Sequence, residues 1–352
     1  VTIDNTHPSD SAVTIAASGS GNANNGDVVT LTIDPSEAIG TPTCTWTDGS
    51  GAMADTSVTY GTVTGTDHHT AAVTVADADE DGTVGFSCTF SDLAGNAVGT
   101  AVTAITAGSA VTIDNTHPSI TGVTATWGTH LNAAEDNADK TISITTSGAE
   151  DGQTVTTTIN SVTDSCTVNT NACTITYAAS DMASLSSGTS YTIAVDVSDA
   201  AGNAATQSTA TSFTYDPTLP TISSIAVTGV TSGQYGNSGT YTVVVTASET
   251  LAAAPTLSLS GGSVGSGSGS TSDTVWTYTF TPTDADESVT IDVGAGAITD
   301  SAGNVNTATP TQFAFTHDAT APTASAVTIA VSGTGNANNG DVVTLTIDPS
   351  EA

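Results

Sequence analysis

Short runs of apolar residues along this chain alternate with small polar residues, and Gly, Asn, Asp or Pro separates one run from the next. Within residues 84–90, for example, Val84, Phe86, Cys88 and Phe90 occupy every second position. A period of two is that of a half-buried β-strand, because successive side chains of a strand point to opposite faces. No segment has the apolar spacing of a helix of useful length. The pattern therefore predicts an all-β protein.

Seven such segments follow one another in the first hundred or so residues. The predicted strands are Val13–Ala17, Asp27–Ile33, Thr43–Thr47, Val58–Val63, Ala71–Ala76, Val84–Phe90 and Ala101–Ile105. Short alternating strands at this density fit two antiparallel sheets that pack face to face with Greek-key connections. We therefore predict tandem immunoglobulin-like Greek-key β-sandwiches.

Two short motifs recur along the chain. Asp-x-Thr-x-Pro begins at residues 4, 114, 216 and 318, which are 110, 102 and 102 residues apart. Asp-x-Ala-Gly-Asn occupies residues 92–96, 199–203 and 300–304, each time shortly before the next copy of the first motif. Self-similarity at a nearly fixed period indicates an array of one structural unit. We interpret the first motif as the linker between repeats and the second as a turn.

The motifs predict a division into repeats. Residues 1–9 are the end of a preceding repeat with its linker, residues 10–118, 119–219 and 220–321 are three immunoglobulin-like domains, and residues 322–352 are the first two strands of a further copy of domain 1. Residues 325–352 repeat residues 11–38 with two differences, Val331 for Ala17 and Thr334 for Ser20. Two strands do not fold alone. Either the chain is cut from a longer array, which we favour, or another chain completes this half sandwich.

The charge balance of the chain is extreme. It has 35 acidic residues and one basic residue, Lys140, for a formal net charge of −34. Nucleic-acid binding depends on Lys and Arg that displace counterions from phosphate, so we predict no nucleic-acid partner. An anionic membrane surface would repel the chain, so we expect no direct membrane binding. The excess carboxylate either attracts cations such as Ca²⁺ or simply keeps the protein hydrated in salty water.

Four cysteines in a Thr-rich, strand-rich chain point to disulfides and to an oxidising, extracellular compartment. Three pairings are possible, and we favour Cys44–Cys88 and Cys166–Cys173 because each stays within one repeat. Cys44 and Cys88 lie on the predicted third and sixth strands, which are neighbours in an immunoglobulin-type sheet. Their bond would join adjacent strands. Cys166 and Cys173 could close a hairpin.

The linker and the turn together resemble the bacterial immunoglobulin-like repeats of giant secreted surface adhesins. Similar arrays occur in large surface proteins of unicellular algae. The resemblance implies a cell-surface stalk that holds a terminal binding domain away from the cell, with Ca²⁺ rigidifying the joints between neighbouring repeats. The chain departs from this family at His7 and His117, where Ala is commoner, and in its near lack of basic residues.

The sharpest candidate calcium site is the acidic segment of residues 77–82. Asp77, Asp79 and Asp81 at positions 1, 3 and 5, with Gly82 at position 6, match the opening of a calcium loop. No Glu stands at position 12 and no helix is predicted on either side, so a site here would be a looser one. The alternative is a solvated acidic turn between two strands. Residues 284–287 are a weaker counterpart in the third repeat.

A second candidate site lies at the joint between repeats. If the Asp-x-Ala-Gly-Asn turn faces the linker that follows it, Asp92, Asn96 and Asp114 could share an ion. The equivalent residues of the later repeats are Asp199, Asn203, Asp216, Asp300, Asn304 and Asp318. The alternative needs no metal, because Gly-Asn suits a tight turn and the Asp accepts a hydrogen bond from the turn backbone.

No set of residues supports catalysis, and we predict that the chain is not an enzyme. Three of the six histidines lie in linkers and two precede a strand, without the spacing of a zinc site or a nucleophile in view. Lys140 suggests a Lys–Asn isopeptide crosslink, which we disfavour because a lone Lys at a strand start is usually just exposed.

The leading functional hypothesis is a structural stalk of a long secreted cell-surface adhesin. The first alternative is a subunit of a self-assembling extracellular filament or sheath, in which copies of the chain pair or swap strands. The half sandwich at the C-terminus keeps that alternative open. The second is a carbohydrate-binding accessory array, which would need exposed aromatic side chains. We rank it last because the chain has only three Trp residues.

Overall fold

The computed structural model describes residues 3–19, 21–270, 273–283, 285–307 and 312–350. Strands dominate the described residues, which confirms the predicted all-β class and the sandwich architecture. The chain divides into two compact units. One contains the described residues of Val1–Leu131 and Glu135–Tyr215, and the other those of Asn132–Ala134 and Asp216–Ala352.

The first sandwich is built from eight strands of the first unit. They are β1 (Asp10–Ala17), β2 (Val28–Pro35), β3 (Thr43–Thr47), β4 (Thr59–Thr62), β5 (His69–Thr74), β6 (Gly82–Thr83), β7 (Gly85–Thr89) and β8 (Thr112–Ile113). One sheet has the order β1-β2-β5-β4, β3 pairs with β7, and β6 pairs with β8. Leu31 and Ile33 pack in one core with Trp46 and Phe86 of the opposite layer. This is the layer arrangement of an immunoglobulin-like domain.

The predicted seventh strand, residues 101–105, is not a continuous strand. Val102 exchanges two backbone hydrogen bonds of 2.9 Å with Cys88 of β7. Thr106, four residues later, bonds instead to Val13 of β1, through its backbone N–H and its side-chain oxygen. The segment passes from one sheet to the other, so it cannot keep a register with either neighbour.

The second sandwich also lies largely in the first unit. Its elements are β9 (Ser119–Ala125), β10 (His130–Asn132), β11 (Lys140–Ser147), β12 (Thr154–Ile159), β13 (Val162–Thr167), β14 (Ala172–Tyr177), α1 (Ala179–Met182), β15 (Thr189–Val197) and β16 (Ser208–Asp216). The sheets have the orders β14-β11-β9 and β10-β16-β15-β12-β13. Trp127 packs edge-on against Phe213 in the core, with ring centroids 5.2 Å apart. No helix among the described residues is long and apolar enough to cross a membrane.

The second unit contains the third sandwich and one further strand pair. The strands are β17 (Ile222–Val227), β18 (Tyr235–Gly236), β19 (Tyr241–Ala247), β20 (Ser258–Ser260), β21 (Ser263–Val264), β22 (Val275–Thr281), β23 (Glu287–Asp292), β24 (Phe313–His317), β25 (Ala324–Val331) and β26 (Val343–Pro349). The sheets β17-β19-β22-β21 and β18-β24-β23-β20 enclose a core that includes Val243, Phe280 and Ile291. The boundaries assigned to the repeats from the sequence remain a prediction.

The strand pair β25–β26 has nearly the sequence of β1–β2, yet its apolar side chains are exposed. Ile329 and Leu345 are 70% and 57% exposed, whereas the equivalent Ile15 and Leu31 are 8% and 0% exposed. The difference arises because the opposite layer of the first sandwich covers β1 and β2, while β25 and β26 have only each other as partners among the described strands.

Candidate metal sites and linker contacts

The Asp-x-Ala-Gly-Asn turn has one geometry in its three copies. In the second copy, the Asp199 carboxylate accepts hydrogen bonds from the backbone N–H of Asn203 (2.8 Å) and from its side-chain amide (2.9 Å). Gly202 has a φ of +97°, and Gly95 and Gly303 have +97° and +91°. Glycine adopts this left-handed conformation with little strain, which explains its place in the motif. The turn is thus internally satisfied, as the metal-free interpretation expects.

The asparagine of each turn also reaches a linker. Its Nδ2 donates to the backbone carbonyl of a linker aspartate, from Asn96 to Asp4 (3.1 Å), from Asn203 to Asp114 (2.8 Å) and from Asn304 to Asp216 (2.8 Å). One hydrogen of Nδ2 is donated to the turn carboxylate, and the other is donated to the linker carbonyl. We call the second hydrogen bond the linker contact. It fixes each linker to the turn that comes later in the chain.

The condition for an ion shared by Asp92, Asn96 and Asp114 is not met, because each turn contacts the linker that precedes its sandwich. Asp92 and Asn96 lie beside Asp4, and Asp114 lies beside the turn of the second sandwich. Strands of a sandwich alternate in direction, and the turn of residues 92–96 follows the sixth of the seven predicted strands, residues 84–90. An even number of passes returns the chain to the end at which it entered. The turn therefore faces the preceding linker.

Two groups of three carboxylates come close enough to share one ion. These acidic triads are Asp4, Glu37 and Asp92 in the first unit, and Asp216, Glu249 and Asp300 in the second. In each triad the oxygens lie within 4.8 Å of one another. Within the ranges that the structure describes, no other trio of His, Cys, Asp and Glu side chains meets this distance. Asp92, Asp216 and Asp300 belong to the residues predicted from the sequence.

The donor set of the second triad fits a hard divalent cation. Burial, and then repulsion from Asp216 and Asp300, raises the pKa of Glu249 to about 7. The buried Oε1 of Glu249 has no hydrogen-bond donor among the described protein atoms. An ion that prefers oxygen ligands, such as Ca²⁺, would offset the repulsion and bind this oxygen. Asp4, Glu37 and Asp92 offer the same three carboxylates in the first sandwich.

Glu37 and Glu249 are absent from the sequence-based prediction. Glu37 follows Ser36, just after β2, and Glu249 follows Ser248, just after the equivalent strand β19. The hydroxyl of that serine accepts a hydrogen bond from the backbone N–H of the residue after the linker proline. The glutamate is thereby held next to the linker. The recurrence of Ser-Glu at this position was the signal that could have identified both residues.

The three aspartates of residues 77–81 do not converge on one point. Asp79 is buried, and its carboxylate accepts hydrogen bonds from the backbone N–H groups of Ala54 (2.6 Å) and Ala76 (2.8 Å). Asp77 is exposed. The Asp81 carboxylate is not directed toward Asp77 or Asp79, because it accepts hydrogen bonds from the linker that follows this sandwich. These residues therefore lack the arrangement of a calcium loop.

Asp81 and its counterpart Asp286 hold the linker that leaves their sandwich. Asp286 accepts hydrogen bonds from the Thr320 hydroxyl (2.8 Å) and the Ala319 backbone N–H (2.7 Å). These two bonds lower the pKa of Asp286. Asp81 accepts from the equivalent groups of the linker that begins at Asp114. In these two linkers the threonine of Asp-x-Thr-x-Pro therefore binds an aspartate of the preceding sandwich.

The Asp318 carboxylate accepts a hydrogen bond of 3.1 Å from the backbone N–H of Thr320, within its own linker. Asp284, part of the weaker counterpart segment, lies outside the described residues.

Two linker histidines bind the residue just after a turn. Nδ1 of His7 lies 2.8 Å from the carbonyl oxygen of Ala97, and Nδ1 of His117 lies 2.8 Å from that of Ala204. A carbonyl oxygen only accepts hydrogen bonds, so Nδ1 carries the proton in both cases. These residues thus add a second bond between a linker and the turn that it faces.

Both disulfides form within single sandwiches. Cys44 lies directly opposite Cys88 in the register of β3 and β7, and both side chains are buried. Cys166 and Cys173 are bonded as well, across a separation of seven residues. The four cysteines leave no free thiol.

Cys166 and Cys173 flank a tight hairpin turn, as expected, in which Asn169 and Ala172 exchange two backbone hydrogen bonds of 2.9 and 3.2 Å. Cys166 lies on β13, which pairs with β12, whereas Cys173 lies on β14, which pairs with β11 of the other sheet. Thr170 and Asn171, with φ of 50° and 60°, make a tight turn at the tip. Beyond the turn the two strands separate, so this disulfide joins the two sheets of the sandwich.

The tryptophans do not provide the surface that the carbohydrate-binding alternative requires. Trp46, Trp127 and Trp276 are only 4–6% exposed and belong to the three cores. Tyr235 is a large exposed aromatic residue, at 74%, but it is isolated on the short strand β18.

Comparison with known proteins gives no family. No protein-family model matches the chain. No curated protein matches it in sequence. Among solved structures, it is similar to a Ca²⁺-stabilised adhesin that helps an Antarctic bacterium reach out and bind ice, with 24% identity over 88% of this chain and 75% of that one, at a TM-score of 0.37.

Two further solved structures show a comparable level of similarity. A 1.5-MDa bacterial ice-binding adhesin is 21% identical over 88% of this chain and 97% of that one, with a TM-score of 0.35. Domains of titin are 10% identical over 89% and 97% of the two chains, with a TM-score of 0.31. Similarity at this level assigns no ligand or activity to this chain, since one fold serves many functions.

Proposed function

We propose that this chain is a load-bearing stalk segment of a long, secreted cell-surface adhesin, with linkers that Ca²⁺ stiffens. The observation that carries the proposal is the linker contact, which occurs at three linkers with the same donor and the same acceptor. A spacer needs each joint between neighbouring repeats to be held in one conformation. An asparagine that binds the linker backbone at each joint serves that need, and nothing in the contact is suited to binding an external ligand.

The path of force through a sandwich also supports the proposal. In the third sandwich, β18 and the last strand, β24, pair in parallel, with Tyr235 opposite Thr316 and Gly236 opposite His317. Tension between the two ends of the sandwich pulls these strands in opposite directions along their length. The hydrogen bonds between them therefore share the load. Ala23 and Ile113 make a parallel bridge of the same kind in the first sandwich.

Calcium binding rests on the acidic triads. Asp4, Glu37 and Asp92 would hold one ion, and the triad of Asp216, Glu249 and Asp300 would hold another. In both triads one ligand comes from a linker and two come from the body of a sandwich. A bound ion would add a second restraint on the linker beside the linker contact.

An extracellular, cell-surface location is consistent with the cysteine chemistry. Both disulfides lie within sandwiches of small cores, where a crosslink adds stability. Such bonds persist in oxidising compartments and are rare in the cytosol.

Small-angle X-ray scattering of the whole chain tests the stalk and its calcium dependence. We expect a larger maximum dimension in excess Ca²⁺ than in EDTA at equal ionic strength, because stiffer linkers extend the array. The double variant Glu37→Gln, Glu249→Gln should lose the difference, and the matched variant of the exposed residue Glu80, Glu80→Gln, should keep it. An identical scattering profile with and without Ca²⁺ would argue strongly against calcium stiffening.

Self-assembly into an extracellular filament is a second candidate, favoured by one observation. The apolar face of β25–β26, with Ile329 and Leu345 exposed, is the kind of surface that another polypeptide segment covers. Electron microscopy of the purified chain separates the two functions. Separate extended particles would support the stalk, and ordered fibres would support the filament.

A further inference from the structure

Among the described residues, no third carboxylate forms a triad with Asp114 and Asp199 in the second sandwich, where the Glu150 carboxylate instead accepts a hydrogen bond of 2.8 Å from the backbone N–H of Ala200. Ser147, at the end of β11, is equivalent to Ser36 and Ser248. The residue after it is Gly148, where the other two sandwiches have Glu37 and Glu249. Gly148 has a φ of +84°, and a Cβ there would come 3.2 Å from the Cα of Pro118. A glutamate is therefore disfavoured by the backbone itself at this joint.

The linker of residues 114–118 has a different restraint on the side of the first sandwich. The Asp81 carboxylate accepts hydrogen bonds from the Asn115 backbone N–H (2.6 Å) and the Thr116 hydroxyl. The Asn115 side-chain amide donates to the carbonyl oxygens of Ala76 and Asp79, at 2.9 Å each. Four hydrogen bonds thus tie two consecutive linker residues to one loop.

The same linker is bound on the side of the second sandwich as well. Asn203 makes the linker contact to Asp114, and His117 donates to the carbonyl oxygen of Ala204. Every residue from Asp114 to His117 therefore has a hydrogen bond to one sandwich or the other. None of these bonds involves a metal, and together they restrain the linker from both sides.

We propose that the linker of residues 114–118 is a metal-independent joint, so that cation dependence differs between the linkers of one chain. The linkers that begin at Asp4 and Asp216 are the cation-dependent ones. This inference rests on the proposed calcium binding, and it adds that the second joint stays ordered when the cation is removed. A chain of this kind keeps the joint between its first two sandwiches rigid at low Ca²⁺, while the linkers at Asp4 and Asp216 loosen.

Hydrogen–deuterium exchange of the whole chain, resolved by peptic peptides, tests the inference. In Ca²⁺ and in EDTA, the Asn115 amide should exchange slowly and at the same rate. Peptides that contain Glu37 or Glu249 should exchange more slowly in Ca²⁺. Asp81→Asn should accelerate exchange at Asn115 about tenfold or more, because it removes a charge-assisted hydrogen bond. Asp77→Asn, which removes an equal charge from an exposed residue nearby, should leave that rate unchanged.

The outcomes separate the two proposals. If Ca²⁺ slows exchange at all three linkers, calcium binding stands and the metal-independent joint is overturned. If Ca²⁺ slows exchange at none of them, both proposals fail. If Asp81→Asn leaves the Asn115 rate as it is, the hydrogen bonds do not hold the joint and the inference fails alone.

Discussion

Replacing Glu249 by Gln should stabilise the third sandwich when calcium is absent and weaken its response to calcium. Glu249 shares its triad with Asp216 and Asp300, and its pKa rises from 4.5 to about 7. Because the folded-state pKa is the higher one, the folded protein retains the proton between these two pH values and the unfolded protein does not. The destabilisation of the folded state by ionised Glu249 is therefore absent below pH 4.5 and complete above pH 7.

The size of the effect follows from the pKa. One pKa unit corresponds to about 1.36 kcal/mol, so the rise from 4.5 to about 7 sets an upper limit of about 3 kcal/mol. Glu249 is partly exposed, and solvent screening reduces the figure to about 1–2 kcal/mol. For a domain of this size, that difference raises the thermal midpoint by about 5–10 °C. Glutamine has the same shape without the charge, so the free energy of unfolding of Glu249→Gln should exceed that of the natural protein by about 1–2 kcal/mol.

Differential scanning calorimetry at pH 8 measures the outcome. In EDTA the transition of the third sandwich should occur at a higher temperature in Glu249→Gln than in the natural protein. In excess Ca²⁺ the natural protein should gain more stability than the variant, and at pH 4 the two should be nearly equal. Glu80→Gln, at an exposed position, is the control and should match the natural protein throughout. A variant that is no more stable in EDTA at pH 8 would refute the reasoning.

Two further predictions follow from the turns and the disulfides. Asn203→Ala should destabilise the second sandwich by about 2–3 kcal/mol in calorimetry, because it removes the linker contact and leaves the buried Asp199 carboxylate with fewer hydrogen-bond donors. The control, Ala at the exposed Asn137, should leave the stability unchanged. Equal stability of the two variants would contradict the role of the Asn203 amide. Replacing Cys44 and Cys88 by Ser should cost about 4 kcal/mol and replacing Cys166 and Cys173 about 2 kcal/mol, because the separations are 44 and 7 residues. Chemical denaturation checks the order, and the reverse order would show that loop length does not control the effect.

Local features of the chain were predictable because their causes are local. Alternation along residues 84–90 indicated a strand with one buried face, and Val84, Phe86, Cys88 and Phe90 are buried. The Asp-x-Ala-Gly-Asn motif indicated a turn, since a left-handed glycine and an aspartate acceptor are needed within five residues.

The composition of the acidic sites depended on distances that no local pattern contains. Glu37 and Asp92 lie 55 residues apart in the chain, and only the folding of the sandwich brings both beside Asp4. The dense acidic segment of residues 77–82 looked like the better site. Its carboxylates bind backbone N–H groups or the next linker instead. Charge density in sequence is therefore a weaker indicator of converging carboxylates than the recurrence of a glutamate at one position in two of the repeats.

The amino-acid sequence by itself determined most of the strands, the turns and the repeat motifs, because each depends on neighbouring residues, and its total charge predicts that polyanionic partners do not bind. Only the tertiary structure decided which linker each turn meets, which sheet receives Cys173 and which glutamate completes each acidic triad. These depend on strand direction and on contacts across the two layers. An alternating pattern shows which side chains are buried, but it does not show which distant segments of the chain pack against them.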